Sequence, residues 1–219
     1  MKDEILSAWL SSAKLARKDD NTQQAYNAVH HATILNPPLA TIEHAKLLWH
    51  GGQHKNAIRN LNGAIAKKIL EIGTEEPLDS RSTTTTSISL KVQPTENLRV
   101  AKAKLLLANW LEASGQTHSQ DLLDKFKDAN SWFQRWEQGY YYLGRHYNKL
   151  YEVEKAKHPL KQSQQFLNGE HAKLIVQNYL RALTFGVKYI FQTMPRLLTV
   201  WLDLGDEVSK PLGPTYGAE

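Results

Sequence analysis

Three features of this sequence predict an all-α fold. Apolar residues recur at spacings of three and four nearly everywhere, which marks one buried face per helix. Shifting the first region by 32 residues overlays it on the next, so the helices come as repeated pairs. Sustained period-2 alternation is missing, with one short candidate in TTTTSISLKV, which sits among disorder signals. The prediction is an α-solenoid of about nine antiparallel helices with one long disordered loop.

The elements follow in order. Ala25, Ala28, Val29, Ala32 and Leu35 form one face of a helix that starts after Asp19-Asp20-Asn21 and stops before Pro37-Pro38. Ala57, Ile58, Leu61, Ala64, Ile65 and Ile69 repeat the pattern, as do Leu98, Ala101, Leu105 and Ala108. Leu122, Phe126, Ala129, Phe133 and Trp136 mark a further helix, and Trp136, Tyr140, Leu143, Tyr147 and Leu150 the next. Two last helices are read from Val176, Leu180, Leu183, Val187 and Ile190, and from Leu197, Trp201 and Val208.

The overlay places Ala13 on Ala45, Ala16 on Leu48, Ala25 on Ala57, Val29 on Leu61 and Ala32 on Ala64. Its period lies near that of tetratricopeptide repeats. AKLLWHGGQ (45–53) overlays ANWLEASGQ (108–116) more loosely. A helix pair with Ala at its contacts cannot bury its face alone, and stacked neighbours make the core continuous. Trp49, Trp136, Gly139, Tyr140 and Gly144 are the expected repeat-packing residues. A glycine inside a helix costs about 1 kcal/mol relative to Ala, so Gly139 and Gly144 call for a close neighbouring helix as compensation.

The expected organisation is helical repeats over 1–72, a flexible Ser/Thr-rich loop over 73–95, further repeats over 96–210 and a connector over 211–219. Residues 152–168, EVEKAKHPLKQSQQFLN, read as a second, polar linker.

Composition narrows the function. Of 219 residues, 41% are hydrophobic and 22% charged, ordinary for a globular chain, so disorder throughout is excluded. The absence of Cys excludes thiol catalysis, Cys–zinc sites and a disulfide framework. The N-terminal MKDEILSAWL lacks the order of a signal peptide, and no apolar run is long enough to span a bilayer. The net charge of +5 is mild and its charges are interleaved, so direct nucleic-acid binding is not expected.

No phosphate-cradling glycine loop, nucleophile elbow or kinase catalytic motif is present. His50 and His54 have zinc-helix spacing, but Gly51-Gly52 between them break the helix, and His30-His31 point apart. These His are read as solvated or capping. Glu75-Glu76 fall in the loop, and Glu112 and Glu137 read as surface ion-pair partners. The six Trp read as inter-helix packing rather than a ligand cage. No catalytic, cofactor-binding or metal residue is assigned.

One stretch carries more than periodicity. TMPRLLTVWLDLGDEV (193–208) resembles the closing motif of the FAT region, the helical repeats that precede the kinase domain in phosphatidylinositol 3-kinase-related protein kinases. Pro195, Arg196, Leu198, Thr199, Trp201, Leu202, Asp203 and Gly205 match it. YLRALTFGVKYIFQ (179–192) and RWEQGYYYLGRHYNKL (135–150) resemble earlier helices of that region. Residues 9–58, above all ATIEHAKLLW (40–49), resemble the ATR branch, the DNA-damage checkpoint kinases, and the divergent loop resembles fungal members.

The resemblance implies a nuclear regulatory scaffold without catalysis of its own. ATP and Mg would belong to a kinase domain of a longer parent chain. The implied partners are that kinase domain, a second copy of the parent and accessory checkpoint proteins, with no nucleic acid and no membrane. The resemblance implies that the helices clamp the kinase domain and contribute to dimer contacts; Arg196 and Asp203 are expected to make polar contacts at the clamp–kinase or inter-helix boundary, with Trp201 as buried anchor. The rival for the two charged residues is simple pairing with neighbouring helices. Thr22-Gln23, Ser119-Gln120 and Ser163-Gln164 match the resembled kinases' substrate preference. The alternative function is a free-standing tetratricopeptide adaptor, for which Lys14, Lys46 and Arg59 are loose peptide-clamp candidates.

Overall fold

The computed structural model describes residues 2–67, 94–115, 117–157 and 170–209. Among these are nine α-helices and no strand. The chain forms two compact units, Met1–Phe133 and Gln134–Glu219.

Six helices build the first unit: α1 Lys2–Lys18, α2 Thr22–Leu35, α3 Pro37–His50, α4 His54–Ala66, α5 Pro94–Ser114 and α6 Ser119–Trp132. Each packs on the one before it, and α1 also reaches α3. That neighbour-to-neighbour packing is the pattern of a helical-repeat solenoid. The boundaries have local causes. Asn21 Oδ1 accepts the Gln24 N–H at 3.2 Å and caps α2. Asn36 does the same for α3 at Leu39 N–H, and Pro37-Pro38 start that helix as well as ending the one before.

The repeats share a turn. Asp20 (φ 57), Gly52 (φ 76) and Gly115 (φ 65) all take left-handed backbone, each just after its helix. These are equivalent positions of the sequence overlay. The core is built from alanines that let helices approach closely. Ala13, Ala16, Ala25, Ala28, Val29 and Leu47 form one cluster, and Leu6, Ala32 and Ala40 another. A third joins Ala45, Ala57 and Leu61 to Val100, Ala103, Leu107 and Trp110, so α4 and α5 meet although the chain between them is long.

Most of the expected loop, including TTTTSISLKV, lies outside the described residues. Its last two residues, Pro94 and Thr95, begin α5, because proline is well tolerated in a first helical turn.

The second unit has three helices: α7 Glu137–Lys157, α8 Glu170–Phe185 and α9 Ile190–Ser209. α7 packs along α8, and α9 turns back onto α8. Two expectations are corrected. Residues 152–157, read as linker, continue α7, since Glu, Lys and Ala are good helix formers and the first proline is Pro159. The rest of that segment, with Ser163, lies outside the described residues, as does the 211–219 connector. The buried face of α8 is Ala172, Ile175, Tyr179 and Ala182, not the stripe through Leu180, which is half exposed, and Val187 lies beyond the helix end.

Candidate functional site

No group of three or more metal-ligating side chains occurs among the described residues. The His pairs are otherwise engaged. His50 Nε2 lies 3.4 Å from Asp20 Oδ1, and His54 stacks on Trp49 with centroids 4.2 Å apart. His31 stacks on Trp9 at 4.5 Å. Trp49 also stacks flat on Trp110 at 4.7 Å, which ties α3 to α5.

A crevice of about 290 Å³ in the first unit is lined by Tyr26, Val29, His30, Thr33, Thr41 and His44. Burial holds the His44 imidazole below its ordinary range. His44 Nδ1 lies 3.4 Å from the Asn60 amide nitrogen, which suits a neutral ring accepting that hydrogen. Of the adaptor-clamp candidates, Lys46 is held by Glu43 at 2.6 Å and Lys14 lines a separate α1–α3 groove.

The second unit gathers the residues of the closing motif. Here Gly144 faces Tyr179: a Cβ on Gly144 would stand 2.7 and 2.8 Å from the Tyr179 ring. Gly139 and Trp136 are buried, and Tyr140 stacks on Phe185 at 5.7 Å. The Tyr179 and Tyr189 phenols are pushed up to about 12, mainly by burial and next by a neighbouring phenol. Tyr141 stacks on Tyr189 at 4.0 Å with planes 9° apart, and Arg145 lies over Tyr142 at 4.5 Å.

Polar links fasten α9 to α7. Glu137 Oε1 accepts the Tyr189 N–H at 3.0 Å, at the entrance to α9. Lys155 Nζ lies 2.8 Å from Asp203 Oδ2, and Glu152 lies 3.7 Å from Arg196. Partly exposed pairs of this kind contribute about 0–1 kcal/mol each. They lie on one side of α9 and record its rotation against α7.

That rotation decides what α9 presents. Thr193 and Val200 are buried. Trp201 is 70% exposed, so it is not the buried anchor the sequence suggested. Phe191, Met194, Leu198 and Leu202 are exposed beside it. At about 100° per residue these five fall in one sector about 100° wide, next to the buried one. The sequence reading missed Glu152 and Lys155, and it took Glu137 for a surface ion-pair partner, whereas Glu137 is half-buried and accepts a backbone N–H. Local periodicity cannot find a partner that lies 44 to 52 residues away, as Arg196 and Tyr189 do.

Residues 1–199 match the sequence model of the family described as the FAT domain. "Protein kinase rad3" of Schizosaccharomyces pombe is 35% identical over 214 residues, covering 96% of this chain and 9% of that protein. "Serine/threonine-protein kinase ATR" of Arabidopsis thaliana is 27% identical over 227 residues, covering 92% of this chain and 8% of that protein. The chain therefore spans less than a tenth of the length of these relatives. Among solved structures, "Crystal structure of MamA protein" aligns over 99% of both chains at 12% identity and a TM-score of 0.39, a likeness too distant to bear on the fold.

Proposed function

Because this chain belongs to the FAT domain family, we propose that it is a regulatory scaffold segment of an ATR-like checkpoint Ser/Thr protein kinase. In this reading it holds the kinase domain in position and contributes to contacts between two copies of the parent. Catalysis, ATP and Mg belong to the kinase domain. Accessory checkpoint proteins are its other partners, and the nucleus is its place of work.

The observation that carries the reading is the match over residues 1–199 together with relatives that are named as kinases. α9 supports it physically. Its bare sector offers Trp201 and Leu202 as a contact surface for a lobe. The contact role proposed for Arg196 and Asp203 is indirect: paired with α7, they set the direction in which Trp201 points. A stack of helices with little internal freedom transmits such an orientation well. Bending it would bias a kinase already in equilibrium between open and closed forms.

Sequencing the transcript past the codon for Glu219 tests the parent. An open frame into a Gly-rich strand, a strand Lys and catalytic-loop Asp and Asn is the expected outcome. A stop codon immediately after Glu219 would overturn the reading. Within the parent, Trp201→Ala should alter kinase activity. In the chain alone it should change stability by less than about 0.5 kcal/mol, as for an exposed residue.

A further inference from the structure

The crevice between α2 and α3 breaks the pattern of its own repeat. The 32-residue overlay sets Tyr26, His30 and Thr33 of α2 on Ile58, Asn62 and Ile65 of α4. The looser overlay of 45–53 on 108–116, continued by one residue, sets His44 of α3 on Leu107 of α5. In the second repeat Ile58, Ile65 and Leu107 pack into one apolar cluster with Leu61 and Trp110. In the first, the matching positions hold Tyr26, Thr33 and His44, and the seam stays open by about 290 Å³. An aliphatic filling would have added buried apolar area and with it stability. Stability therefore does not account for the departure, and such local exceptions belong to functional sites.

The lining has a definite hydrogen-bond sense. Thr33 Oγ1 donates its hydrogen to Val29 O at 2.8 Å, and Thr41 Oγ1 donates to Pro37 O at 2.7 Å. Both hydroxyl oxygens are left as acceptors. His44 Nδ1 takes the Asn60 amide hydrogen across 3.4 Å, so the ring proton sits on Nε2, which is a donor. Tyr26 meets that ring edge-to-face with centroids 6.2 Å apart. None of the six described residues that line the crevice is Asp, Glu, Lys or Arg. A charged ligand would enter without a counter-ion. The volume stands at the lower edge of the roughly 300–1,000 Å³ common for ligand pockets, so the guest is small.

We propose that this crevice binds a small uncharged planar ring with a hydrogen-bond donor beside an acceptor, the chemistry of a nucleobase. The guest's N–H reaches the Thr33 or Thr41 oxygen, and its acceptor meets the His44 Nε2–H. Its ring lies against Val29 and the Tyr26 and His30 side chains. Adenine presents such a pair, an amino donor beside a ring-nitrogen acceptor. The lining holds no cation for a phosphate, which favours a free nucleoside over a nucleic-acid strand. The proposal is independent of the scaffold reading, which draws on α9 and on the family match.

The probe is adenosine, titrated into the whole chain while the ring signals of His44 and Tyr26 are followed by nuclear magnetic resonance. Saturable shifts are expected. Thr33→Ile, which copies Ile65 of the next repeat, should weaken binding by about tenfold or more by filling the space. Thr33→Val keeps the shape but removes the acceptor, and should weaken binding about fivefold. Purine riboside, which is adenosine without its amino group, should bind the unaltered chain about fivefold more weakly for the same reason. Thr184→Val, at a Thr on α8 that also donates to its own helix, should bind as the unaltered chain does. If Thr33→Ile disturbs the circular dichroism spectrum, His30→Ala, at an exposed position, replaces it and should weaken binding about fivefold. The absence of saturable shifts up to the solubility of adenosine overturns the proposal. So does binding indifferent to Thr33→Val and to loss of the amino group. Tighter binding of a single-stranded adenine oligonucleotide that fades with salt overturns it as well.

Discussion

Replacing Gly144 by Ala adds one methyl group at the tightest point of the second unit. The new Cβ would lie 2.7 Å from Tyr179 Cδ1, 2.8 Å from Cε1 and 3.4 Å from Asn178 Cβ. Tyr179 is among the largest fully buried side chains, and Tyr141 stands beside its ring at 6.2 Å. The ring therefore cannot swing clear, and α7 and α8 must separate by several tenths of an ångström. Overpacking of this kind costs about 1–3 kcal/mol. Alanine returns about 1 kcal/mol through its better helix propensity. The net expectation is a loss of about 1 kcal/mol. Gly63→Ala in α4 is the control, because its Cβ would meet nothing within 4 Å. There the propensity acts alone, and a gain of about 1 kcal/mol is expected. Differential scanning calorimetry reads both, since a chain of two units need not melt in one step. About 1 kcal/mol corresponds to about 4–8 °C for a unit the size of the second and to less for the larger first unit. Gly144→Ala should lower the transition of the second unit, and Gly63→Ala should raise that of the first. A Gly144→Ala chain that melts at or above the original temperature would refute the close-approach argument.

Further outcomes are expected. Gly52→Ala should destabilise the first unit by about 1 kcal/mol, because φ is +76° there and open space offers no other penalty; equilibrium denaturation checks this. His44 is held below its unfolded pKa, so the folded state binds fewer protons. Its contribution is complete above the ordinary His value of about 6.5 and is lost as pH falls through it toward the folded pKa. Melting between about pH 7.5 and 5.5 should therefore show an acid-side loss that His44→Gln reduces. The Tyr179 and Tyr189 phenols, pushed up to about 12, ionise more easily once unfolded. Their contribution holds below the ordinary value of about 10 and fades as pH rises from there through the folded pKa. Tyrosinate absorbance should show a late-titrating fraction that Tyr179→Phe and Tyr189→Phe each diminish.

Legibility differed between the two units for a physical reason. In the first, Ala25, Ala28, Val29 and Ala32 recur at helical spacing and all are buried. The contacts there link neighbours in sequence, so periodicity and the 32-residue overlay found the helices and most of their inner faces; Leu35, read on the same face, is 40% exposed, and α6 ends at Trp132, short of Phe133 and Trp136. The shared left-handed turn at Asp20, Gly52 and Gly115 follows the same overlay. In the second unit hydrophobicity alone misled. On α8 it favoured Leu180, which is half exposed, over Ala172, Ala182 and Tyr179, which are buried. Small residues and a large aromatic fill the narrow α7–α8 interface, where Gly144 makes room for the Tyr179 ring. The charged run 152–157 read as linker, although charge on a helix surface is no obstacle to helix.

By itself the sequence determined the helical class, the repeat, the bounds of α2 and the resemblance to the FAT region, because these rest on local spacing, on caps and on motifs. Tertiary structure decided how α9 is turned. Arg196, Trp201 and Asp203 are plain in the sequence, but that Trp201 faces outside while Arg196 and Asp203 turn to α7 shows only in the structure. α9 is apolar over two adjacent sectors, either of which could have been buried. In the structure the one that holds Thr193 and Val200 is buried, and Trp201 and Phe191 are left bare.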